Sequence, residues 1–167
     1  MTLVARAGAA ILLWVFAMPG TAVALDKNLV GVWTVVSVTY GEGADKTDPF
    51  GPNVKGTQIF DASGHFAVVV TRADLPKVAA NNREKATAEE SEKIVRGSLG
   101  YFGTYTTNEA QKSFTVQIEG STFPNFVGTS QTRSYAISGD ELRITNPTAS
   151  GGRAATVVLK RATQKAM

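Results

Sequence analysis

The chain has 167 residues, 17 basic against 14 acidic side chains, a formal charge of +3, one histidine and no cysteine. The length argues for one domain, and the lack of cysteine excludes disulfides, thiolate metal sites and a cysteine nucleophile. Its Lys and Arg are scattered, with no dense basic stripe carrying interleaved aromatics, so nucleic acid is not an expected partner.

The first predicted element is an export signal. Arg6 gives a basic start, and "GAAILLWVFAM" (8–18) is apolar but short for a bilayer span. Pro19-Gly20 breaks a helix, and Ala22-Val23-Ala24 sets small residues at the spacing a signal peptidase reads. The expectation is a signal peptide over 1–24, cleaved between Ala24 and Leu25. It would release a periplasmic or secreted domain over 25–167 that has no membrane span.

Strand patterns dominate the chain after residue 28. "LVGVWTVVSVTY" (29–40) is β-branched and aromatic without a helical period. "GTQIFD" (56–61) and "HFAVVVTR" (65–72) flank a short glycine-bearing turn and predict a hairpin. A mobile loop is expected over 72–86, then a helix of two to three turns within "TAEESEKIVRGSLG" (87–100). Thr87 and Glu90 have capping-box spacing, and Glu89–Lys93 and Glu92–Arg96 are favourable i,i+4 pairs. Ile94, Val95 and Leu99 form a narrow apolar edge able to pack on a sheet.

Two more hairpins, 101–107 with 113–119 and 129–137 with 142–146, precede a last strand over 154–162. Eight short strands in meander order predict an all-β fold. The expected form is an up-and-down antiparallel barrel with one short helical insertion, a closure that leaves no edge strand exposed. Such a barrel is filled by side chains or holds one small ligand.

One connector stands out. "EGSTFPNFVGTSQTR" (119–133) places Phe123 and Phe126 among turn residues, where regular structure is forbidden. Exposed rings there would be a liability, so the segment is expected to fold over one barrel end as a lid or plug.

Gly31-Val32-Trp33 at the start of the first strand and Arg161 near the end of the last resemble the lipocalin G-x-W closure. There a Trp plugs one barrel end beneath an Arg that stacks on its ring. Together with "YFGTYT" (101–106), "EGSTFPNFVGTSQTR" and "SGDELRIT" (138–145), these stretches are similar to the bacterial and fungal lipocalin-like domain family over nearly the whole mature chain. The resemblance implies a lipocalin-like, calycin-type barrel. Members often carry histidines just before the opening glutamate. Here Val116 and Gln117 stand there, so no acid–base role is carried onto them.

Strand parity selects the ligand-binding candidates. Gln131, Arg133 and Tyr135 share one face with Ile137, the better candidate for the interior. Tyr101 and Tyr105 share another, with Gly103 between them making room for a ring or a bound molecule. Buried tyrosine hydroxyls need partners, which Arg133 or Gln131 would supply. A Glu119–Arg133 pair at the mouth would hold a ligand's polar end, beneath Phe123 and Phe126.

His65, alone after a hairpin turn, lacks companions for a metal site, and Ser121 and Ser130 lack a basic partner. No catalytic residue, metal or cofactor is expected. The expected partner is a small hydrophobic or amphipathic molecule bound in the interior. The alternatives are an enzyme using the same cavity for isomerisation or cyclisation, and a barrel filled by its own side chains.

Overall fold

The computed structural model describes residues 25–163. The expected signal peptide over 1–24 and the last four residues of the expected domain lie outside the described residues. Eight strands, β1 (Gly31–Tyr40), β2 (Lys55–Phe60), β3 (His65–Thr71), β4 (Ser98–Asn108), β5 (Ser113–Ser121), β6 (Ser130–Ser138), β7 (Glu141–Asn146) and β8 (Ala155–Arg161), form one closed barrel among the described residues. Each strand pairs antiparallel with its chain neighbours, and β1 closes the ring on β8. The up-and-down barrel expected from the eight patterns is the observed fold.

Alternation drives the closure. In β1, Trp33 and Val35 face inward; the register then slips between Val35 and Ser37, so Val38 and Tyr40 take over the inward face. A bulge of this kind resets side-chain parity and bends the strand, which a small barrel requires. Phe60, Phe114, Leu142 and Leu159 meet inside as fully buried core.

The helix α1 (Ala88–Gly97) carries the expected capping box. The Thr87 backbone N–H donates to Glu90 Oε2 at 2.8 Å, and Glu90 N–H donates to Thr87 Oγ1 at 3.2 Å. Both i,i+4 pairs form, at 2.7 Å for Lys93–Glu89 and 2.9 Å for Arg96–Glu92. The loop before it is tied to the helix, since Ala79 N–H donates to Glu90 Oε1 at 3.0 Å.

The apolar edge differs from the expectation. Val95 is 71% exposed, and Leu99 belongs to β4, because the helix stops at Gly97. A Cβ at Gly97 would come within 2.6 Å of the Leu75 side chain and 2.9 Å of the Arg72 side chain, so a larger residue there would have to push both aside.

Candidate functional site

The barrel has two unlike ends. At one, the short turns after β2, β4 and β6 gather, and Trp33 fills the lumen with no exposed surface. Its indole N–H donates to Leu29 O at 2.9 Å, and the Arg161 guanidinium lies 4.1 Å over the ring. Arg161 in turn donates to Asn28 O at 2.7 Å and Val30 O at 3.1 Å, tying the entry segment across the end. Gly31, at φ +138°, lets Arg161 approach: a Cβ there would sit 2.9 Å from Nη1. Gly31, Trp33 and Arg161 thus come together at this end of the barrel.

Tyr105 and Tyr135 also belong to this closed end. Phe60 makes edge contacts with Tyr105 and Phe114 at 5.0 and 5.2 Å, and Tyr135 tilts against Phe114. The Tyr105 hydroxyl donates to Asp61 O at 2.8 Å rather than meeting Arg133 or Gln131. Burial, with the charges of Asp61 and Asp26, pushes its pKa up to about 12.

The Tyr135 hydroxyl donates to the buried Asp26 carboxylate at 2.6 Å. Burial raises the Asp26 pKa, but hydrogen bonds from Tyr135 and Asn28 and the charge of Lys112 outweigh it and hold the group below its ordinary 3.8. Burial and the Asp26 hydrogen bond raise the Tyr135 pKa. Nothing in the sequence singled out Asp26, which enters the plug through the segment before β1.

At the other end the longer connections converge around a cavity of about 50 Å³. Val35, Val68, Val70, Ile144 and Val157 supply apolar wall. Arg133, only 3% exposed, points into it from β6. Its Nη1 donates to the Tyr101 hydroxyl at 2.8 Å and its Nη2 to Gln131 Oε1 at 2.9 Å, while Nε has no partner among the described residues. Its guanidinium also lies 5.2 Å from the Tyr101 ring centre. Gln131 is fixed from behind, its amide donating to Thr129 Oγ1 at 3.3 Å.

The connector between β5 and β6 closes over this group. Pro124 opens a 3-10 turn (Pro124–Phe126) whose Phe126 is buried, edge-on to Tyr101 at 5.8 Å and to the half-buried Phe123 at 5.1 Å. Thr129 Oγ1 donates to Phe126 O at 2.7 Å and pins the turn.

Two expectations need correcting. Glu119 does not pair with Arg133. Phe102 pairs with Gly120 and Gly103 with Ile118, so Glu119 is the unopposed residue of a bulge and faces solvent. Gly103 makes room for neither a ring nor a bound molecule, because its missing Cβ would lie 1.9 Å from Gln117 O, so backbone fills that space.

The structure also adds residues that parity reading passed over. Gln58 is 3% exposed, lines the cavity from β2 and has an amide nitrogen without a partner among the described residues. It sits two residues from the inward Phe60, so alternation was the signal that could have found it. Asn146, Phe50 and the Tyr40–Ser150 hydroxyl pair, 2.9 Å apart, complete the mouth. His65 is exposed and meets Ser63 at 3.0 Å. No cluster of three potential metal ligands occurs among the described residues.

A family model described as a lipocalin-like domain matches residues 30–162. No curated protein matches the chain. Among solved structures, one described as "REP1-NXSQ fatty acid transporter" is similar at 10% identity and a TM-score of 0.39, covering 84% of this chain and 100% of that one.

Proposed function

The chain belongs to the lipocalin-like domain family, and on that premise we propose that it binds a small, mostly apolar molecule in the barrel interior without catalysis. The observation that carries this reading is the Arg133 guanidinium, buried at the edge of an apolar cavity with its Nε–H unpaired among the described residues. An orphaned buried donor costs stability unless something else offsets it. Tyr101 and Gln131 hold the guanidinium in place, the valines form the wall, and Phe126, backed by Phe123, is the cover through which a ligand enters.

The protein is exported, as residues 1–24 imply, and acts in the periplasm or outside the cell. Leu25 packs on the core and Asp26 is buried, so a chain starting at Leu25 keeps both contacts.

A second reading draws on the cavity's size. About 50 Å³ holds a few water-sized groups, so a barrel filled by its own side chains, with a structural or accessory role, accounts for the closed form. Titration with an environment-sensitive apolar dye separates the two. Binding predicts saturable dye uptake by the wild type. It also predicts looser retention in the Phe123→Ala/Phe126→Ala variant, with the strand framework still folded. Unchanged affinity in the folded variant, or no uptake by the wild type, favours the filled barrel.

A further inference from the structure

We propose that the cavity selects a carboxylate: its ligand is a small amphipathic monocarboxylic acid, bound with the charged end inward beside Arg133 and Gln58. This rests on the proposed binding function and names the ligand class for the same site.

The polar groups that face the cavity from Arg133, Tyr101 and Gln58 are in excess as donors. Arg133 on β6 and Gln58 on β2 stand on strands four places apart in the eight-strand ring, which puts them on opposite sides of the lumen. Arg133 Nε and Gln58 Nε2 are buried without an acceptor among the described residues. Between them, Tyr101 accepts the bond from Arg133 Nη1, which leaves its own hydroxyl hydrogen to donate. A guanidinium has five N–H donors and no acceptor, and two of its bonds hold it against Tyr101 and Gln131. Among the described residues, no aspartate or glutamate lines the cavity.

A buried cation without a counter-charge is costly, and the cost falls when an anion arrives already shaped to accept. A carboxylate does this, because it brings a negative charge, two acceptor oxygens and no donor. An alcohol offers an acceptor without the charge, and an ammonium adds a like charge and more donors. Most of the remaining wall, from Val35, Val68, Val70, Ile144 and Val157, suits an apolar body, with Asn146 and the Tyr40–Ser150 hydroxyl pair as the further polar groups. With Phe126 seated, a cavity of about 50 Å³ admits a head group and a short chain. A longer chain must displace that ring.

The test is calorimetric titration of the purified protein with butyrate and octanoate against butan-1-ol, octan-1-ol and octylamine. It is run on the wild type, Arg133→Met and Gln58→Leu. The wild type should bind each acid about 10- to 100-fold more tightly than the alcohol of equal length, the scale of a hydrogen bond to a charged group. Arg133→Met should erase that preference while still taking up the alcohols, and Gln58→Leu should narrow it. Should Arg133→Met fail to fold, the wild-type preference and its narrowing in Gln58→Leu decide. Alcohols binding the wild type as tightly as acids, or the amine more tightly, would overturn the carboxylate assignment and leave the binding reading standing. No binding by any probe would overturn both.

Discussion

Trp33 concentrates the closed end in one residue: it is fully buried, hydrogen-bonded to Leu29 and stacked by Arg161. Trp33→Ala should therefore lower stability by about 3–5 kcal/mol in denaturant unfolding. A loss under about 1 kcal/mol would mean that the closure contributes little. Beside it, Asp26 sets an acid limit. Its carboxyl lies below 3.8 in the fold and returns to that value when unfolded. The linked stability is present above 3.8 and is lost as the pH falls through the lower, folded value. Asp26→Asn should thus lose less stability than the wild type as the pH falls from about 5 to below 3.8, measured by denaturation midpoints. An equal loss would place the acid sensitivity elsewhere. Asp26 was not legible in the sequence, because its carboxylate matters only once Tyr135, over a hundred positions away, donates to it.

The strands were legible because they are rich in β-branched and aromatic residues and stretches such as β2, β3 and β7 alternate inward and outward, and the capping box fixed the helix start. What alternation does not carry is depth along the barrel. Arg133 and Tyr135 share a face, as parity requires, yet Arg133 lines the cavity and Tyr135 lies in the plug. Tyr101 and Tyr105 divide in the same way. Bulges break parity as well. Glu119 faces solvent because the β4–β5 register slips there, which no local pattern marks except Gly103. That glycine permits the slip by letting Gln117 O come close. Gly103→Ala should destabilise by about 1–3 kcal/mol, as crowding in a packed site does. A neutral Gly103→Ala in thermal or denaturant unfolding would show that the bulge yields freely.

At the scale of the molecule, the barrel joins a stiff, plugged end to a mouth built from the four longer connections. The turn that carries Phe126 lies at that mouth, with the ring edge-on to Tyr101, whose hydroxyl accepts from Arg133. The rest of the mouth was not legible, because Phe50 and Ser150 reach it from connections without periodicity. The export expectation belongs to this scale too: intact mass of the exported form should correspond to a start at Leu25, and retention of residues 1–24 would contradict it. The central claim is that the interior holds a small molecule. Native mass spectrometry of the protein, purified from its own host without solvent extraction, tests it most directly. The account predicts a species heavier than the bare chain by one small molecule, depleted in the Phe123→Ala/Phe126→Ala variant. A wild-type protein that carries only the mass of its own chain would contradict it.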